Sequence, residues 1–119
     1  MTITITANGQ TLHFALNDSD AAKALFAQLP LTAAVEDYGR KEKIFTPPSR
    51  LPTAHTPLVR AAQPGTLAYF APWGNVVLFY GDFGSAPGLY ELGRATQGAE
   101  HIRSLTGTLH VQPSSAPLD

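Results

Sequence analysis

Residues 64–83, Pro-Gly-Thr-Leu-Ala-Tyr-Phe-Ala-Pro-Trp-Gly-Asn-Val-Val-Leu-Phe-Tyr-Gly-Asp-Phe, restrict the fold more than any other part of the chain. Two apolar runs, 66–71 and 75–81, flank a tight Pro72-Trp73-Gly74-Asn75 turn. Aromatic and β-branched residues dominate both runs, and Pro/Gly pairs punctuate their ends, which is the composition of strands. A strand with one wet face alternates apolar and polar residues; these runs are apolar at successive positions, so both faces must be covered. The reading is an antiparallel pair at the centre of a mainly β fold. One face looks into a barrel interior and the other lies beneath a second element.

The flanking segments fit that centre. Residues 2–6 alternate Thr and Ile, placing Ile3 and Ile5 on one face. Asn8-Gly9 is a strong two-residue hairpin signal, because both central positions need positive φ. Residues 10–16 return with Leu12, Phe14 and Leu16 on one face. A helix is expected over about 19–29, capped by Asp18 or Ser19, with Leu25, Phe26 and Leu29 as its buried stripe. Pro30 stops it, since the residue before a proline is pushed out of the α region. An Ala-rich helix of about three turns is the size of element that plugs one end of a small barrel.

Residues 31–38 read as a third strand, followed by a charged turn, Gly39-Arg40-Lys41-Glu42, and a fourth strand over 43–46. From 47 to 64 the chain carries prolines at 47, 48, 52, 57 and 64. Proline removes a donor and fixes φ, so this stretch is neither helix nor central strand. It is expected to be a long extended loop crossing the barrel, and a loop of that length is usually functional or disordered. Beyond the central pair come a loop at 84–88 and a strand over 89–95, in which Gly93 signals a bulge or bend. A short second helix over about 98–104 and a last strand over 105–112 follow. One domain, 1–112, with a flexible polar tail, 113–119, accounts for the chain.

Composition narrows the function classes. A net charge of −1 with no basic run gives no electrostatic reason to expect nucleic acid or an anionic membrane as partner. The absence of cysteine removes disulfide and thiolate chemistry. Met-Thr-Ile-Thr-Ile-Thr is not a signal-peptide start, and no run approaches the ~20 apolar residues of a membrane span, so a cytoplasmic location is expected. His13, His55, His101 and His110 lack metal-ligand spacing, and no Gly-rich phosphate loop or nucleophile motif is present. Neither a metal nor a cofactor is expected.

Eight strands, with a capped helix after the second and a short helix before the last, form a specific order. The segments Pro64-Gly65-Thr66-Leu67-Ala68-Tyr69, Asn75-Val76-Val77-Leu78-Phe79-Tyr80-Gly81 and Leu92-Gly93-Arg94 resemble the small bacterial cyclophilin-like family. Tyr38-Gly39, Glu42 and Ile44-Phe45 fit the same family's third and fourth strands, so the resemblance spans residues 1 to about 112. It implies a closed eight-stranded antiparallel cyclophilin-like barrel and invites a peptidyl-prolyl isomerase reading. The residues depart from that activity. True cyclophilins carry a Phe-His-Arg-type strand and then Gln-Gly-Gly-Asp; here the region is Glu42-Lys43-Ile44-Phe45-Thr46-Pro47-Pro48. Their Gln-Phe-Phe segment is replaced by Val77-Leu78-Phe79.

The favoured expectation is therefore a non-catalytic module whose apolar groove holds a peptide or a small apolar ligand. Phe70, Val77, Phe79 and Tyr38 would line it, Trp73 would anchor the ligand from the turn, and His55 would reach in from the proline loop. Plain packing is the competing reading for the strand aromatics. A solvated face is the default for Glu36, Tyr38, Arg40 and Glu42, with a polar rim to the groove as the functional alternative. A weak isomerase would use Arg40 as its electrostatic donor. A third reading is an oligomerisation domain, a homodimer formed through an exposed strand edge or the Trp73 loop.

Overall fold

A computed structural model describes residues 1–114. The first hairpin pairs β1 (Thr2–Ala7) with β2 (Gln10–Leu16). Asn8 and Gly9 turn it at φ 38° and 82°, the left-handed values that the Asn-Gly pair accommodates. Ile3, Ile5, Leu12 and Phe14 all point inward and are fully buried. Helix α1 (Asp20–Ala27) follows; Ser19 is its N-cap and its hydroxyl accepts from the Ala22 N–H at 3.1 Å. The expected 19–29 helix thus ends at Ala27, with Gln28 as C-cap. Ala21, Ala22 and Leu25 join the barrel's interior cluster, the plugging role that small residues permit.

Among the described residues there are nine strands where the sequence predicts eight, because the run 31–38 is divided at Val35 into β3 (Leu31–Ala34) and β4 (Glu36–Tyr38). The others are β5 (Glu42–Phe45), β6 (Thr66–Phe70), β7 (Asn75–Phe79), β8 (Leu89–Gln97) and β9 (Thr108–Pro113). The sheet order is β3-β9-β1-β2-β8-β6-β7-β5-β4, and every pairing is antiparallel. Its first and last members are the two halves of one continuous run, which passes from β9 to β5. Val35 sits at the seam and donates its N–H to Gly107 O at 2.9 Å. That handover closes the sheet into a barrel.

Gly93 earns its place by close approach. A Cβ there would stand 2.1 Å from the Ala15 carbonyl oxygen of β2, so only glycine lets the two backbones pair. One residue earlier the β6–β8 register slips, and Leu92 turns fully buried into the interior. The second helix is a 3-10 helix, Ala99–Ser104, that supplies Ile102 to the interior. Leu105 caps that helix, so the last strand begins at Thr108, three residues later than the pattern suggested. Pro113 still belongs to β9, and Ser114 donates its N–H to Thr2 O at 2.9 Å; the rest of the expected tail lies outside the described residues.

β6 and β7 divide their residues between two apolar regions. Leu67, Tyr69, Val76 and Leu78 face the barrel interior, while Ala68, Val77 and Phe79 belong to a second cluster on the outside. Residues 46–65 cover part of that outer face, bonded along the way. The Gln28 amide brackets Ser49 through both its oxygen and its nitrogen, at 2.9 and 3.0 Å. The Leu51 N–H donates to the buried Tyr69 hydroxyl at 3.0 Å. Val59 and Ala62, both buried, then pack on Ala68, Val77 and Phe79. Among the described residues, no helix is long and apolar enough to cross a membrane.

Candidate functional site: a cavity on the outer face of the barrel

Side-chain parity builds the site. On β5, Phe45 faces inward and Lys43 is buried against Asp37, 2.5 Å from Nζ to Oδ1. Glu42 and Ile44 therefore face outward, because successive residues of a strand alternate sides. On β7 the same rule sends Asn75, Val77 and Phe79 outward. The register sets these side chains in rows: Glu42 opposite Phe79, Ile44 opposite Val77, and Phe70 opposite Asn75. Those rows floor a cavity of about 200 Å³. Leu89, Ala86 and Phe83 wall one side, and Tyr38 and Trp73 the other.

The rim is aromatic and open to solvent. Trp73 is 54% exposed, Tyr38 45% and Phe83 42%. Trp73 meets Tyr38 edge to face, with centroids 5.0 Å apart and an interplanar angle of 84°; it meets Phe70 at 5.5 Å and 79°. Phe83 leans over Phe79 at 5.4 Å. Such geometries are favourable aromatic pairs, so the rim is braced by its own contacts.

Two polar groups interrupt this apolar lining. Asn75 is only 6% exposed, and its Oδ1 is buried with no hydrogen-bond partner. Leaving an acceptor in that state costs about 1–3 kcal/mol, so such an atom calls for an explanation. Burial pushes the Glu42 carboxyl above its ordinary value of 4.5, because desolvation penalises the charged form. Glu42 belongs to none of the ion pairs among the described residues. The nearby cations are engaged elsewhere: Lys43 by Asp37, and Arg50 by the Ala71 carbonyl at 3.0 Å. Lys41 lays its stem against Gly81.

The structure brings Phe70, Val77, Phe79, Tyr38 and Trp73 to this one cavity, and leaves Arg40 and His55 out of its lining. Arg40 sits exposed on the β4–β5 turn. His55 lies at the start of α1, where its Nδ1 is 3.0 Å from Asp20 Oδ2, because the proline loop passes that end of the barrel at this point. Asn75 and Glu42 are the residues that sequence reasoning undervalued, one as a turn position and the other as part of a solvated face. Parity was the available signal: each stands two residues from an apolar neighbour on the same strand, Val77 and Ile44. Arg94 donates to the Gln63 amide oxygen at 2.7 and 3.1 Å once that amide is turned to face it with its oxygen. No group of three or more metal-ligating side chains occurs among the described residues.

A small antiparallel barrel, closed through one shared strand and plugged by a helix, with a cavity on its outer face, defines the class of protein. The cyclophilin-like family matches residues 5–113, and the chain belongs to that family. Its fold is similar to the solution structure of a hypothetical protein from Archaeoglobus fulgidus, with a TM-score of 0.76 over 96% of this chain and 95% of that one. The two are 17% identical, so the likeness is one of fold. No curated protein matches the chain significantly.

Proposed function

We propose that this protein is a non-catalytic binding module whose outer cavity holds a peptide side chain or a small ligand with an apolar part. The observation that carries the reading is Asn75, a buried residue of this aromatic-lined hollow whose Oδ1 has no hydrogen-bond partner. A ligand N–H would satisfy that oxygen, and the ligand's apolar part would cover Val77 and Phe79. Pockets for drug-sized ligands run to about 300–1,000 Å³, so a cavity of this volume suits one side chain or a small molecule. With no cysteine and no excess charge in the chain, we place this binding in the cytoplasm and assign it no nucleic-acid or membrane partner.

The lining argues against isomerase chemistry. Rotation about a prolyl amide must overcome resonance, a barrier of ~18–20 kcal/mol, and the cationic donor that would lower it is not among the cavity residues. Titration of the 15N-labelled protein with a library of short peptides and small amines is expected to shift the amide resonances of β5 and β7. Shifts confined to other surfaces would overturn the assignment of the site. In a protease-coupled prolyl peptide assay the isomerisation rate is expected to stay at background. An acceleration abolished by Arg40→Ala would establish the isomerase reading instead.

A further inference from the structure

We infer that the cavity selects an organic cation, an alkylated ammonium group that still carries an N–H, with Glu42 as its counter-ion and Asn75 Oδ1 as its hydrogen-bond acceptor. This rests on the binding reading above and names the ligand's chemistry. Three observations converge. The lining offers a carboxyl group and an amide oxygen but no basic side chain, so its electrostatics favour positive charge. Glu42 has no partner among the ion pairs of the described residues, and a half-buried carboxylate without a cation bears a desolvation cost that a bound cation would offset. Tyr38, Trp73 and Phe70 meet at near right angles, forming the corner of a box instead of a stack. Aromatic walls of that kind attract a cation through the ring quadrupole, with tryptophan the most effective ring.

The two polar groups also grade the cations. A quaternary ammonium satisfies the rings and Glu42 but leaves Asn75 Oδ1 unpaired. A tertiary or secondary ammonium satisfies all three. A primary ammonium, strongly hydrated and with three donors to place, leaves one of them facing the apolar rows of Ile44, Val77 and Phe79. The expected order is tertiary or secondary first, quaternary next, primary last. A free alkylamine and the tip of a methylated lysine share this chemistry.

The test uses the full chain and follows Trp73 fluorescence together with amide shifts. The probes are N,N-dimethylbutylamine, butyltrimethylammonium, butylamine and neutral 3,3-dimethylbutanol, whose tert-butyl group is the uncharged counterpart of the trimethylammonium head. Tertiary ammonium should bind at least about tenfold more tightly than the neutral probe, consistent with a desolvated cation–π contact plus one charge pair. Glu42→Gln should cut that margin to the part the rings supply and leave the neutral probe's affinity unchanged, with a cooperative melting transition showing that the variant folds. Trp73→Ala, at an exposed position, should weaken every cation and is read by amide shifts alone. A dimethyllysine peptide binding more tightly than the free amine would assign the source to a protein tail; the reverse would assign it to a small molecule. Equal or tighter binding of the neutral probe at the cavity would overturn the cation assignment while leaving the binding reading intact. Silence from every probe and every library peptide would overturn both.

Discussion

The barrel interior and the outer face of β5, β7 and β6 are made from alternate residues of the same strands, yet they reach different ends. Inside, Leu67, Tyr69, Val76 and Leu78 meet Ile3, Ile5, Leu12 and Phe14, all essentially without solvent exposure. The one phenol there, Tyr69, accepts a hydrogen bond from the Leu51 N–H. Outside, the proline loop seals one part over Val59 and Ala62, and the rest stays a hollow with an unpaired amide oxygen and a desolvated carboxyl. The interior is finished by intramolecular contacts; the outer hollow has polar groups that no part of the described chain satisfies. Residues that close the interior and residues that line the outer hollow thus sit one position apart along a single strand.

Substitutions can break this contrast or sharpen it. Phe14→Ala, inside, is expected to cost about 3–5 kcal/mol by chemical denaturation, since a ring is lost from a closed core. A loss near that of an exposed position would refute the description of the interior. Gly93→Ala should follow, at or above the ~1–3 kcal/mol of overpacking, because the new methyl meets the Ala15 carbonyl. Asn75→Leu, on the outer face, is expected to be nearly neutral or stabilising while removing the preference for tertiary over quaternary ammonium, because the unpaired acceptor is lost and its burial relieved. A clear destabilisation would mean that Asn75 is structural.

The pH response of Glu42 is a smaller effect with a definite sign. Its carboxyl holds its proton to higher pH in the fold than in the unfolded chain, so the native state binds more protons just above pH 4.5. The contribution is fully present below that pH and is lost as pH rises through the raised native value. Relative to the wild type, Glu42→Gln should therefore gain more in melting temperature at pH 7 than at pH 4. An equal shift at the two pH values would show that the carboxyl is not desolvated. Smallest of all, Arg40→Ala should leave stability within about 0.5 kcal/mol and amine affinity unaltered, as befits an exposed turn residue.

Much of this architecture is legible in the chain, for identifiable reasons. Strict alternation marks β1, Asn8-Gly9 fixes its hairpin, and apolar residues at successive positions of β6 and β7 announce two covered faces. The division at Val35 leaves no local mark, because whether a strand keeps one neighbour or changes to another is settled by the far ends of the sheet. The late start of β9 is similar: Leu105 fits either a strand or a helix cap, and Gly107, at φ 80°, decides it. The aromatic half of the cavity follows from composition and parity. Its polar half does not, because Glu42 and Asn75 look like ordinary turn-flanking residues until the segment carrying Phe83, Ala86 and Leu89 folds over them.

The seam at Val35 has a bearing on how the molecule meets others of its kind. Among the described strands, handing residues 31–38 from β9 to β5 leaves β3 and β4 with an unpaired flank, four and three residues long. Runs so short make poor templates for an incoming extended chain. Self-association by adding strand to strand has little to grip, and a second copy would have to recognise side chains, among which the indole and phenol at the mouth of the hollow are the most prominent.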